Sequence, residues 1–511
     1  MAINRRELLQ MMGGACSALA LSKFARAQAQ GANFLATRAS LAGYRIPDWY
    51  RDAKFGIWSH WGPQSAVEHG DWYARSMYEE GSDNYKYHVA TYGHPSKVGY
   101  KDLVDNWKAA RWDPEHLMSL YKKAGAKYFV SMGVHHDNFD LWDSKYTRWN
   151  AVKMGPKKDV VGLWKKAAHE QGLPFGVSEH LWISYKWFAT SHGADKTGPL
   201  AGVPYDGADP KFEDLYHDAN CAKYASRLDW NDDDIPETWK RHYLDRMTDL
   251  IDKYQPDLLY TDGHLPFEEY GLKMVSHLYN VSAQLHGGQT QAVYTSKDNL
   301  DCAVGTCLLD HERGVAEGIA ANPWQTDTCI GQWHYNRGQK YKSPKKVIDL
   351  LVDIVSKNGN LLLNFPLPNS GELDPDEMKV LEGITAWMAV NSEGIYASRP
   401  WKIYGEGPST QGKIETGNFN EDKQKDLGAE DVRFTVKGGA LYAFVMGWPA
   451  NAAEVKALGL ASAQQPGRVR KVELLGHNGE LKWKQDQDAL KVELPAEKIS
   501  DVGITLKVEL A

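Results

Sequence analysis

The stretch Tyr254-Gln-Pro-Asp-Leu-Leu-Tyr-Thr-Asp-Gly263 decides the fold. Leu258 to Tyr260 read as a short buried strand, and Asp262-Gly263 ends it in a sharp turn. A carboxylate at the C-terminal tip of a barrel strand stands where parallel α/β enzymes place catalytic groups. A plainer reading makes Asp262 an Asx-type turn before glycine. The flanking sequence decides between them.

From about residue 45 to 390, short β-rich apolar runs alternate with amphipathic helical stretches. Strands are expected at Phe55–His60, Tyr128–Val134, Phe175–Ser178, Leu258–Thr261, Ala292–Thr295, Thr306–Leu309, Thr326–Ile330 and Leu361–Asn364. Helices are expected over 113–123, where Asp113 caps and Pro114 opens the first turn, and at Val160–Gln171, Trp239–Tyr254, Lys346–Lys357 and Asp376–Val390. Gly125, Gly172 and Gly359 stand where helices should stop. This alternation predicts an α/β fold, a (β/α)₈ TIM-like barrel over residues 45–392. Two long insertions, 62–112 and 181–235, follow strand ends and should lie over the catalytic face; loops of that length in a compact domain usually carry function.

After about residue 393 the period changes. Residues 432–445 read as a hairpin turning at Gly438-Gly439, and Val469–Leu475, Ala489–Leu494 and Gly503–Leu510 alternate with period two. Residues 393–511 are therefore expected to form a C-terminal all-β domain, most simply a β-sandwich, with no catalytic cluster visible in it. A chain of 511 residues has room for both units.

Asn4-Arg5-Arg6-Glu7-Leu8-Leu9, followed by an apolar stretch too short to span a bilayer, resembles a twin-arginine export leader over residues 1–27. Ala25-Arg26-Ala27 fits a cleavage site, with Ala27-Gln28-Ala29 as a near alternative; Cys16 follows a poor lipobox. A periplasmic or secreted location is expected. Loss of that segment takes the formal charge from −7 to −10, which argues against a nucleic-acid partner. No later segment predicts membrane insertion. Cys221, Cys302, Cys307 and Cys329 would remain. They contain no C-x-x-C pair, so zinc-ribbon chemistry is not indicated, and a Cys302–Cys307 bridge is left open.

Polar and aromatic groups gather at the expected strand tips: His60 and Trp61, His135-His136-Asp137, Tyr260 and Asp262, and Asp310-His311-Glu312-Arg313. Side chains at i and i+1 of a strand point to opposite faces, so His135 and His136 reach one ligand only if the backbone curls; otherwise one is a core residue and the other lies in a loop. The 19 tryptophans and 26 tyrosines serve mostly as packing, but such a surplus also suits a sugar site, where a ring lies against a C–H face. His60, Trp72, His135, His136 and Tyr260 supply neutral polar groups and an aromatic wall, and Asp262 and Glu312 supply carboxylates.

Lys54-Phe-Gly-Ile-Trp-Ser-His-Trp-Gly62, Asp71-Trp-Tyr73, His135-His-Asp-Asn-Phe139 with Trp142 and Ser144-Lys145, Pro256-Asp-Leu-Leu-Tyr-Thr-Asp-Gly263, Pro323-Trp-Gln-Thr326 and Asn358-Gly-Asn-Leu-Leu-Leu-Asn364 occur in order across about residues 45–390. This set resembles the α-L-fucosidases of glycoside hydrolase family 29. The resemblance implies retaining, exo-acting hydrolysis of terminal α-L-fucosyl linkages on a fucosylated oligosaccharide or glycoconjugate, with no cofactor and no metal. It puts the nucleophile on Asp262 and the acid/base on Glu312, with Glu317 as runner-up. It puts sugar contacts on His60, Trp72, His135, His136, Tyr260 and Trp324. A tyrosine usual near the third strand is replaced here, and His180 or Glu179 takes its part. An arginine found upstream of the acid/base in some members has no evident counterpart beyond Arg313. Competing readings are an α-L-galactosidase, a non-catalytic carbohydrate-binding barrel, and a metal-dependent hydrolase built on His135, His136 and Asp262.

Overall fold

The structure, a computed structural model, describes residues 33–302, 305–412 and 415–511; the leader expected at 1–27 lies outside them. Eight parallel strands close into a barrel in chain order: β1 Phe55–Ser59, β2 Tyr128–Val134, β3 Phe175–Glu179, β4 Leu258–Thr261, β5 Val293–Ser296, β6 Leu308–Glu312, β7 Trp324–Cys329 and β8 Gly359–Asn364. β8 returns to β1 in register, Gly56 beside Leu362 and Trp58 beside Asn364.

Strand periodicity of two sorts every barrel residue to one of two cores. Trp58, Tyr128, Val130, Leu258, Tyr260, Val293, Leu308 and Leu362 fill the interior. Ile57, Phe129, Val177, Leu259, Tyr294, Trp324, Leu361 and Leu363 face outward into the helical layer. Gly56 makes room for the interior: a Cβ there would lie 2.3 Å from the Tyr128 ring.

The outer layer comprises α1 Pro114–Lys123, α2 Val160–Glu170, α3 Glu237–Tyr254, α4 Glu269–Leu285, α5 Pro344–Ser356 and α6 Pro375–Asn391. Their starts carry the expected chemistry. Asp113 accepts from the His116 N–H at 2.9 Å, and Asp374 and Glu377 form a reciprocal capping box. Helix α4 is absent from the sequence expectation, although Leu272, Val275, Leu278 and Tyr279 keep helical spacing and are buried. The β5–β6 connection holds only the helical turn Asn299–Cys302 among the described residues, and Cys302 is disulfide-bonded to Cys307. Cys221 and Cys329 are free and buried.

The C-terminal region contains β9 Arg399–Glu406, β10 Val432–Lys437, β11 Ala440–Val445, β12 Ala452–Val455, β13 Val469–Leu474, β14 Trp483–Gln485, β15 Leu490–Glu493 and β16 Ile504–Leu510. They form two antiparallel sheets, ordered β13-β16-β11-β10-β9 and β12-β15-β14, around a core that includes Phe434, Leu441, Val455, Val492 and Leu506. The opposite face of β11 is also buried: Tyr442, Phe444 and Met446 join the barrel's outer core. Arg433 reaches from β10 to Asp353 of α5 at 2.6 Å. No helix of the described residues is long and apolar enough to cross a membrane.

Candidate active site

The barrel interior opens at the C-terminal ends of the strands into a cavity of about 480 Å³. Strand parity determines which residues reach it. On β1 the inward series is Gly56, Trp58, His60; on β3 Gly176, Ser178, His180; on β4 Leu258, Tyr260, Asp262; on β5 Val293, Thr295, Lys297; on β6 Leu308, Asp310, Glu312. The last member of each series lines the cavity. Insertion 62–112 adds Asp71 and Trp72, and insertion 181–235 adds Trp182 and Trp230.

Asp262 stands at the tip of β4. Its backbone N–H continues the ladder to the Glu179 carbonyl at 3.1 Å, and its own carbonyl accepts from Trp182 Nε1 at 2.6 Å. Gly263 follows at φ +118°, a conformation that favours glycine, with the Trp182 ring 3.0 Å from where a Cβ would stand. The carboxylate is aimed inward: Oδ1 lies 2.5 Å from Lys297 Nζ, and Oδ2 lies 3.1 Å from His180 Nδ1 and 3.4 Å from His136 Nε2. Burial pushes this carboxyl upward, but the Lys297 ammonium and the two imidazoles outweigh burial and hold it well below the usual carboxylate range.

Glu312 ends β6 opposite Asp262, with Oε2 2.5 Å from the same Lys297 Nζ. Burial, with help from the charges of Asp262 and Asp327 and against the Lys297 ammonium, pushes its carboxyl up to about 7. Two carboxylates in one cavity thus have opposed tendencies, one ionised and one able to keep its proton, an arrangement that marks acid/base pairs.

The histidines form the opposite wall. The loop after β2 curls, so that neighbouring His135 and His136 both line the cavity. Asp140 and Asn138 hold that loop on Arg246 of α3, a fully buried ion pair and a hydrogen bond of 2.5 Å. His136 Nδ1 pairs with the His180 carbonyl at 2.6 Å, and His135 Nδ1 with the Gln64 amide at 2.8 Å. Neither ring nitrogen of buried His60 has a partner among the described residues. Burial and neighbouring imidazoles hold His60 and His135 well below the usual histidine range, so both are neutral and free to meet hydroxyl groups. Tyr260 donates to Asp327 at 2.8 Å beneath this wall. Ligand atoms of His60, Asp71, His135 and His334, and of His135, His136 and His180, lie within 4.8 Å of one another; these two clusters are where a metal ion would be held.

Several expected residues stand elsewhere, and parity explains them. Trp324 opens β7 at the far end of the strand and points outward, its Nε1 donating to the Lys357 carbonyl at 2.9 Å; the tryptophan that follows β7 into the cavity lining is Trp333. Glu179, facing outward beside His180, accepts from Tyr243 and Thr261 at 2.8 and 2.6 Å. Arg313 turns away toward Cys329 and the Gly331 carbonyl, its guanidinium 5.2 Å from the Trp333 ring centre. Glu317 is exposed and outside the cavity lining.

The missed residues divide into two groups. Lys297, two residues beyond Thr295 at a strand tip, was readable by the rule that identified Asp262; Trp333 lies in the loop four residues past the end of β7, beyond the reach of that rule. Asn418 and Phe419, at the cavity rim from the C-terminal region, carry no local signal.

A family profile described as alpha-L-fucosidase matches residues 20–393, and one described as alpha-L-fucosidase C-terminal domain matches residues 424–509. Human tissue alpha-L-fucosidase is 26% identical over 471 residues, covering 89% of this chain and 86% of the relative. An alpha-L-fucosidase of Branchiostoma floridae is 26% identical over 447 residues, covering 86% of each. Among solved structures, the Thermotoga maritima alpha-fucosidase in complex with fucose superposes with TM-score 0.68 at 26% identity, covering 93% of this chain and 99% of the other.

Proposed function

The chain belongs to the alpha-L-fucosidase family of glycoside hydrolases, and on that premise we propose that it releases terminal α-L-fucose from oligosaccharides or glycoconjugates with retention of configuration. The observation that carries the mechanism is the position of Lys297. Its ammonium lies 2.5 Å from an oxygen of Asp262 and 2.5 Å from an oxygen of Glu312, so those two oxygens are at most 5.0 Å apart, twice that distance. Retaining glycosidases hold their carboxyls about 5–5.5 Å apart, and inverting enzymes need about 6.5–9.5 Å to admit a water.

In this reading Asp262 attacks the anomeric carbon while Glu312 donates its proton to the departing glycosidic oxygen. Formation of the ester consumes the Asp262 charge that helps raise the Glu312 carboxyl. Glu312 then takes a proton from water, and the water displaces Asp262. His60, His135, His136 and His180 supply polar contacts for sugar hydroxyls, and Trp58, Trp72 and Tyr260 an aromatic wall. The fucose held by the Thermotoga relative supports the substrate class. The leader-like segment and the Cys302–Cys307 disulfide support action outside the reducing cytoplasm.

Proton NMR of the first-formed sugar tests the reading: α-L-fucose should appear before mutarotation, and β-L-fucose appearing first would overturn retention. Asp262→Gly should be inactive on ordinary fucosides. Glu312→Ala should lose about 10²–10⁴-fold on substrates with poor leaving groups and regain turnover with azide, giving α-fucosyl azide. Azide rescue of Glu317→Ala instead would reassign the acid/base.

A further inference from the structure

The cavity wall beside Glu312 comes from the other structural unit. Glu312 donates its backbone N–H to Asn418 Oδ1 at 3.2 Å and accepts from the Phe419 N–H at 2.7 Å. The loop is fixed just beyond that contact: the N–H groups of Asn420 and Glu421 donate to the Arg313 carbonyl at 3.0 and 2.9 Å, and Thr328 donates to the Glu421 carboxylate at 2.7 Å. Phe419, on this pinned loop, is 61% exposed, belongs to none of the hydrophobic cores among the described residues, and has φ +55°. A bulky side chain in the left-handed region is uncommon, and such backbone concentrates where a ligand is held.

We infer that Phe419 is the platform of an aglycone subsite, on which the pyranose ring bearing the fucose lays its C–H face. The inference rests on the fucosidase reading and extends it. Glu312 protonates the bridging oxygen, so the leaving residue departs on the Glu312 side of the cavity. The Phe419 ring lines the cavity there, and its backbone N–H is bonded to the Glu312 carbonyl while the neighbouring Asn418 side chain accepts from the Glu312 N–H. An unpacked phenylalanine is costly in water, and a sugar face covering it recovers apolar burial. Leaving-group selectivity is then set by a residue outside the barrel.

Two activated substrates test this. α-L-Fucosyl fluoride and 2,4-dinitrophenyl α-L-fucoside both lose their leaving group without protonation, and only the second carries a ring. In Phe419→Ala the ratio of kcat/KM for the dinitrophenyl fucoside to that for the fluoride should fall about three- to tenfold, as expected for one lost stacking contact. Phe419→Trp should restore it, and a fucosyl-galactose disaccharide should fall at least as far as the aryl substrate. An unchanged ratio overturns the inference, even if the disaccharide slows, because Phe419 would then act only by positioning Glu312. A wild-type chain inert toward the fluoride would instead overturn the fucosidase reading itself.

Discussion

Lys297 bears on both carboxylates at once. Its ammonium lowers Asp262 and Glu312 alike, while burial raises both and the Asp262 charge raises Glu312 further. On the proposed mechanism, activity needs Asp262 ionised and Glu312 protonated. With Asp262 held well below the usual range and Glu312 near 7, kcat/KM should be flat through mildly acidic pH and fall as pH rises through about 7. Lys297→Met removes the charge that lowers both groups, so both limbs of the kcat/KM profile should move to higher pH, by about 1–3 pH units. A profile with either limb unmoved would show that Lys297 does not couple to that carboxylate. Most of this site is legible in the sequence, because an inward-facing residue two places beyond another inward-facing residue at a strand tip must face the cavity. Asp262, His60 and Glu312 obey that count. Trp324, Glu179 and Arg313 fail it, since a one-residue offset sends a side chain to the opposite face. Lys297 passes it unnoticed, its strand being short and its neighbours Thr295 and Ser296 unremarkable in composition.

At the scale of elements, the histidine wall depends on a helix that contributes no residue to the cavity lining. Arg246 of α3 pairs with Asp140 and holds Asn138, and both partners of the ion pair are fully buried. The loop they fix carries His135 and His136. Arg246→Ala should cost about 3–5 kcal/mol, because Asp140 is left as an unpaired buried charge, and should lower kcat/KM by displacing the histidines. Urea unfolding and steady-state assays read the two effects. Adding Asp140→Asn to the same chain should recover stability, and no recovery would mean that the charge is not the cause. The eight barrel strands were readable because parallel strands buried on both faces are near-continuous apolar runs. The tail was harder. β9 is half-exposed along its length and contains Pro400 and Gly405, β12 has four residues, and β14 has three; none offers enough alternation to recognise.

Taken whole, the molecule joins its two units through two central strands buried largely on both faces. β10 and β11 pack one side on the sandwich core and the other on the helices of the barrel, and Arg433 is clamped to Asp353 across the junction. Denaturant should therefore unfold both units in one transition, and Arg433→Ala should lower its midpoint through a loss of about 3 kcal/mol. Two resolved transitions in the wild-type chain would contradict that coupling. The contact of residues 418–419 with Glu312 spans 106 positions and arises from an irregular loop, so no local pattern announces it. It has a temporal consequence. The sheet that follows this loop contains β16, Ile504–Leu510, inserted between β13 and β11. A ribosome-bound chain cannot close that sheet until those residues have emerged, so the loop that bonds to Glu312 gains the sheet behind it only then. On the proposed mechanism, a nascent polypeptide should therefore acquire turnover only after every barrel residue has already emerged.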